Sequence, residues 1–352
     1  MYWICLSVDE CGWSYTMRIM IGSPEGISAT GNWVTASRYC SGLAGFGHQV
    51  ILSHLSDGED RLAVLIEENK PDLLLLIHAY RTGRQWLALR HKYSLPTVVM
   101  LSGTDLNNDL LDKHKVAVVE QVMNHADALL SHNKVHIDEL SSRYPQVVDR
   151  LHYIPPGIEL GTAPFPLRQL YAVPDQTLLF LCPASVRPVK GLVELMQLFD
   201  LLQENENCCS WQLYFCGPIL DEYYAHQFFA AIEERAWAHY IGVVSADAMA
   251  AAMIQVDVVV NNSSSEGLPN ALIEAASLGV PILARDIVGN RPIVEHGING
   301  LLYADESSFL SAAQQLVCSA ETRYHLGQVR LHHYSPEIEA KALNSVSNNL
   351  FL

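Results

Sequence analysis

The run Leu73-Leu-Leu-Leu-Ile77 constrains the fold more than any other feature of this chain. Five aliphatic residues without polar alternation make a strand that is apolar on both faces. Such strands belong inside parallel sheets covered by helices on each side. Thr97–Leu101 and Ala128–Ser131 repeat the pattern after a first strand at Ile19–Ile21. A polar loop from Ser23 to Asn32 leads into a helix, and Gly45-Phe-Gly-His48 stops that helix before another strand. A second series of short apolar strands runs through Thr177–Cys182, Gln212–Cys216, Val256–Asn261 and Val280–Ala284. Strand–helix alternation of this kind builds doubly wound sheets. The chain has 352 residues, more than one typical domain holds, so two α/β domains facing a cleft are expected.

The expected division is a first domain over 17–160, a Pro- and Gly-containing linker over 161–176 and a second domain over 177–334. A last helix from about Pro336, within 335–352, is expected to return to the first domain. Met17 stands directly before the first strand, so residues 1–16 are read as an extension with no assigned role.

The formal charge of −16 argues against nucleic acid or an anionic membrane surface as the main partner. No apolar stretch approaches the roughly 20 residues of a spanning helix. The eight cysteines show no C-x-x-C pair, and Cys182 and Cys216 sit in apolar strands, where they act as small hydrophobes. A reducing cytoplasm is the expected compartment. A homo-oligomer is left open.

The segment that carries chemistry is Ser263-Ser-Ser-Glu-Gly-Leu-Pro-Asn-Ala-Leu-Ile-Glu274. A strand ends in a polar loop, Gly267 admits a close backbone approach, and Pro269 is suited to open a helix as its first residue. Free N–H groups at that helix start favour an anion such as a diphosphate. Glu266 just before the helix and Glu274 one turn inside it flank that position, where each can meet hydroxyl groups. Alone, two such carboxylates would only steady a helix dipole, by roughly 0.3–1 kcal/mol each. The neighbouring text adds Ser185-Val-Arg-Pro-Val-Lys-Gly191, directly after the strand that ends at Cys182. Arg187 and Lys190 there are fixed cations beside the same edge. No D-x-D sequence occurs in the chain.

These two segments resemble the E-x7-E and R-x2-K-G motifs of retaining family-four glycosyltransferases. The resemblance covers nearly all of residues 17–334. It implies the GT-B fold: two Rossmann-like domains, the first for the acceptor and the second for a nucleoside diphosphate sugar, UDP favoured. It implies that Glu266 contacts the donor sugar and Glu274 the ribose. Gly267, Leu268, Pro269 and Asn270 would supply backbone contacts, and Arg187 and Lys190 would hold the diphosphate in place of a metal. No cofactor is expected beyond the donor itself.

In the first half, Thr30-Gly-Asn-Trp-Val-Thr35 occupies the place of the family's glycine-rich phosphate loop, so Gly31 and Asn32 are expected as lid residues over the donor. His78 and Arg81 close a buried strand in Ile77-His-Ala-Tyr-Arg81, at the sheet edge where ligands gather. His78 is read as a site residue, with a packed core histidine as the alternative. Ser102-Gly-Thr-Asp-Leu106 ends another strand, and Thr104 and Asp105 are the acceptor-side candidates. Relatives often carry histidine at Ser102 or Thr104. That departure keeps a non-catalytic nucleotide-sugar-binding protein in view as an alternative. The first-half motifs are also similar to those of selenosugar synthases, which usually read E-G-G where this chain has Glu266-Gly-Leu-Pro. A GT-B epimerase or phosphorylase would share the architecture. The acceptor is not named by any of these motifs.

Overall fold

The computed structural model describes residues 16–26, 30–55, 59–205, 209–332 and 334–351. Almost all of the 1–16 extension therefore lies outside the described residues, as do 27–29 of the loop before Thr30.

Two six-stranded parallel sheets organise the chain. The first contains β1 (Arg18–Ser23), β2 (Gln49–His54), β3 (Leu73–Ile77), β4 (Thr97–Leu101), β5 (Ala128–Ser131) and β6 (Leu151–Tyr153), in the order β2-β1-β3-β4-β5-β6. The second contains β7 (Leu178–Pro183), β8 (Trp211–Cys216), β9 (Ala238–Tyr240), β10 (Val258–Asn261), β11 (Ile282–Arg285) and β12 (Gly300–Tyr303), in the order β12-β11-β10-β7-β8-β9. The aliphatic run at β3 shows why both faces are covered. Leu73, Leu75 and Ile77 enter one core, with Tyr39, Leu43 and Leu343, while Leu74 and Leu76 enter the opposite core, with Trp86 and Val122.

Strand order reverses at β1/β3 in the first sheet and at β7/β10 in the second. A crevice opens outside the carboxyl ends of parallel strands at such points, because their following connections run to opposite faces. The two crevices face each other. Segment 154–166 connects the domains without regular structure and is followed by a short helix, Leu167–Leu170. The expected linker is not free: Leu167 and Val173 pack into the second domain's core beside Leu179 and Val256.

The chain then crosses back. The helix Pro336–Asn349 packs on the helix Gly31–Gly45, closely enough that a Cβ on Gly42 would lie 2.8 Å from that of Ala340. Arg38 donates to both carboxylate oxygens of Glu339, at 3.0 and 2.9 Å, in a pair almost closed to solvent. Removing one partner would strand the other charge, the costly way to break a buried pair. The outgoing and returning strands of the connection touch where Ile158 N–H donates to the Tyr334 carbonyl at 3.2 Å.

Candidate donor and acceptor cleft

The second domain's side of the cleft grows from the ends of β7 and β10. After β7 the chain turns through Arg187-Pro-Val-Lys190 and reaches Gly191, whose φ of +58° is left-handed and whose Cβ position lies 2.9 Å from the Asn262 carbonyl. Both facts favour glycine there. This turn aims Lys190 at the loop after β10: its Nζ donates to Glu266 Oε1 at 2.5 Å. Ser263 Oγ donates to the same oxygen at 2.5 Å, and Asn261 Nδ2 at 3.3 Å. Burial pushes the Glu266 carboxyl upward, but the Lys190 charge and these hydrogen bonds outweigh it and leave it below its usual value. Glu266 is therefore an anion at neutral pH. All three bonds fall on Oε1, which leaves Oε2 for a ligand.

Arg187 also lines the cleft and has no ion-pair partner among the described residues; its Nε is buried without a hydrogen bond. The helix Asn270–Leu278 starts at the cleft wall with Pro269 as its cap, one residue later than the sequence reading that made Pro269 the first helical residue. The order Pro-Asn lets Pro269 keep an extended ψ of 114° while its carbonyl accepts from Leu272 N–H at 3.1 Å. Glu274 follows one turn later on the same wall. Burial lifts its carboxyl to about 7, opposed by the Arg38 charge.

The first domain contributes the ends of β1 and β3. Gly31 and Asn32 form the first turn of the helix Gly31–Gly45 and line the cleft from there, rather than from a loop over it. Asn32 Nδ2 donates to Glu25 Oε2 at 2.8 Å, and the other Glu25 oxygen pairs with Arg81 Nη1. Glu25 is thus a cleft residue that sequence reading missed. It belongs to a polar turn with no motif, and only the strand order brings it beside Arg81.

His78 does not line the cleft. It is 1% exposed, with a φ of +81°, and this left-handed turn folds its ring behind Thr104. Arg81 N–H donates to Nδ1 at 3.2 Å, so the proton sits on Nε2, which donates to Thr104 Oγ1 at 3.0 Å. Burial, then the charges of Arg81, Lys115 and Arg187, hold its pKa down to about 3, so the ring is neutral. Thr104 lines the cleft and His78 orients it. Asp105 is likewise internal: its Oδ2 accepts from Ala79 N–H at 2.7 Å, and burial lifts the carboxyl to about 7 against that bond. A fully buried acid bonded to backbone steadies the loop; it cannot meet an acceptor directly.

These walls enclose a cleft of about 250 Å³ that opens to solvent at its mouth. Arg81, Thr104, Gly31 and Asn32 face it from one domain, and Arg187, Lys190, Glu266, Gly267, Leu268, Pro269, Asn270 and Glu274 from the other. Two parallel-sheet domains facing each other across this cleft have the architecture of the GT-B fold.

Comparison with known proteins agrees. Residues 175–319 match the family described as Glycosyl transferases group 1, so the second half is a glycosyltransferase group 1 domain. Glycosyltransferase 1 domain-containing protein 1 of Xenopus tropicalis is 27% identical over 304 residues, covering 84% of this chain and 86% of that protein. Among solved structures, the sucrose-phosphate synthase of Thermosynechococcus elongatus superposes with a TM-score of 0.76 at 15% identity, over 95% of this chain and 98% of that one. Anabaena HepE in complex with UDP-glucose gives 0.74 at 14% identity, over 95% and 99%. At those identities the structures establish the GT-B fold and nothing finer.

Proposed function

We propose that this chain is a retaining, metal-independent glycosyltransferase that moves a sugar from a nucleoside diphosphate sugar, with UDP favoured, to an acceptor seated against Arg81 and Thr104. The observation that carries the reading is the convergence of Arg187, Lys190, Glu266 and Glu274 on the β7/β10 crevice. Glycosyl transfer breaks the bond between the anomeric carbon and the diphosphate, and negative charge grows on the departing oxygen. Fixed cations meet that charge without reorganising, which is where such groups lower a barrier most. Arg187 is free to do so, and Lys190 is already held in place by Glu266. Glu266 Oε2 receives a donor-sugar hydroxyl, and Glu274 receives the ribose hydroxyls. No described side chain in the cleft stands as an obvious nucleophile, so the acceptor attacks from the face the diphosphate leaves, and a phosphate oxygen takes its proton. The name of the Anabaena structure, with UDP-glucose, supports UDP. No described helix is long and apolar enough to cross a membrane, and Cys40, Cys182 and Cys216 are free thiols, which supports a reducing, cytoplasmic setting.

The test is product stereochemistry in the presence of EDTA. Acceptors are screened with UDP-glucose, and the anomeric proton of the first product is followed by NMR. Retention of configuration at full rate is expected. An inverted product, or activity lost to EDTA and restored by Mg2+ or Mn2+, refutes the mechanism.

A further inference from the structure

Two asparagines of the first domain reach across the cleft to the backbone of the donor loop. Asn107 Nδ2 donates to the Glu266 carbonyl at 2.9 Å, and Asn133 Nδ2 donates to the Gly267 carbonyl at 2.9 Å and the Val288 carbonyl at 3.4 Å. Neither amide is free to turn. Asn133 Oδ1 accepts from Val135 N–H at 2.9 Å as the cap of the helix Lys134–Arg143. His136 Nε2 lies 3.2 Å from Asn107 Oδ1. A carbonyl oxygen only accepts, so that nitrogen carries the proton. With each oxygen engaged inside the first domain, each NH2 group has to face the second.

The backbones between them touch. A Cβ on Gly103 would lie 1.9 Å from Gly267 N, and one on Gly267 would lie 2.6 Å from Gly103 N. Glycine at both positions lets the strand end after β4 press directly on the donor loop, flanked by the two amides. Glu266 itself is tied to its own domain by Lys190, Ser263 and Asn261, all through one side-chain oxygen. Its main chain, by contrast, is held from across the cleft.

We infer that Asn107 and Asn133 are positioning residues that clamp the Glu266–Gly267 backbone when the cleft is closed, so that the carboxylate takes its donor-sugar position only with both domains engaged. This inference rests on the proposed role of Glu266 toward a donor sugar. The two amides touch no reacting atom; they act through the loop they hold. Closure of the domains and completion of the donor site then become one event, which keeps the donor from reacting with water in an open cleft.

The test uses Asn133→Asp and Asn107→Asp in the full chain. Aspartate is nearly isosteric, caps a helix as well as asparagine and still accepts from Val135 or His136, but it has no N–H to give. Asn133→Ala serves as a control that also loses the cap. Melting temperature and hydrogen exchange across residues 263–270 are measured with and without UDP-glucose. Melting temperatures of the two Asp variants are expected to stay close to wild type, while exchange of the loop accelerates by about threefold to tenfold, the worth of one net hydrogen bond. Wild-type loop exchange in both Asp variants overturns the clamp, as does faster exchange confined to Asn133→Ala, which would reduce Asn133 to a helix cap. If UDP-glucose fails to slow exchange in the wild-type loop, it is the donor reading that fails; the comparison without ligand still decides the clamp.

Discussion

Arg187→Ala is expected to lower turnover by about 10²–10³-fold while leaving the melting temperature unchanged or slightly raised. Arg187 pairs with no carboxylate among the described residues, and its Nε is buried without a partner, so removing it breaks no ion pair. Its loss should appear as a pure loss of leaving-group stabilisation. Lys190→Ala should lower turnover as far but behave differently in stability. Its ammonium sits 2.5 Å from Glu266 Oε1, with both side chains largely enclosed. Without it the carboxylate keeps only Ser263 and Asn261 as donors, and its pKa rises toward protonation. A penalty of roughly 1–3 kcal/mol in folding stability is expected from stranding a charged hydrogen-bonding group. The pair of variants therefore separates two roles that the sequence gives to one motif. Equal melting temperatures for the two would show that the Lys190–Glu266 contact contributes nothing to the folded state. Turnover near wild type for Arg187→Ala would remove it from the leaving-group site.

Glu274 should reveal itself through pH. Burial lifts its carboxyl to about 7, and Asp105 is lifted to about 7 as well. A carboxyl whose pKa is higher folded than unfolded favours the folded state fully below the unfolded value and loses that advantage as pH rises through the folded one. Glu274 and Asp105 should therefore each draw down the stability of the unliganded protein between about pH 4 and pH 7, while the buried neutral histidines, held down to about 3 at His78 and about 4 at His136, act in the opposite direction. Glu274→Gln removes the Glu274 contribution alone, so this variant should match wild type near pH 4 and below and melt higher at pH 8. Binding should run the other way. Ribose hydroxyls donate best to an ionised carboxylate, so UDP-glucose affinity in wild type should rise as pH passes 7. In Glu274→Gln it should be flat and weaker by about 10- to 100-fold at pH 8, the worth of a charged hydrogen bond. UDP-glucose is the right probe because its diphosphate has no proton to lose in this range. A wild-type affinity independent of pH, with a Gln variant binding equally well, would place Glu274 outside the donor site.

Much of the fold was legible because parallel-sheet strands advertise themselves. Leu73–Ile77, Thr97–Leu101 and Ala128–Ser131 end where the aliphatic runs end. The three-residue edge strands were not legible. Leu151–Tyr153 is half-buried throughout and Ala238–Tyr240 nearly so, and each holds a histidine in the middle; at a sheet edge one face is open and the apolar signal fades. The second-domain site was readable for a related reason. Arg187, Lys190, Glu266 and Glu274 lie on two short segments, each following its own strand, so local spacing already groups them. The first-domain site draws on Glu25, Asn32, Arg81, Thr104, Asn107 and Asn133, from four separate segments that follow four different strands, and only the strand order collects them. His78 shows the limit most clearly. Its place after a buried strand suggested the cleft, but a left-handed backbone at 78 turned the ring inward, and nothing in the residue types nearby announces that turn. Asn107 lies in a π-helical turn, Asp105–Asp109, a conformation with no sequence signature of its own.

In the proposed reaction the cleft between the two domains binds a nucleoside diphosphate sugar through the Arg187–Lys190 turn and the Glu266–Glu274 segment. Calorimetric titration of UDP-glucose into the wild-type chain and into Arg187→Ala tests it most directly. The account predicts one site per chain in wild type, unaffected by EDTA, and affinity reduced by about tenfold or more in the variant, as expected for the loss of a charge-assisted contact. The contradicting result is the absence of binding by UDP-, GDP- and ADP-sugars alike, or binding that Arg187→Ala leaves unchanged.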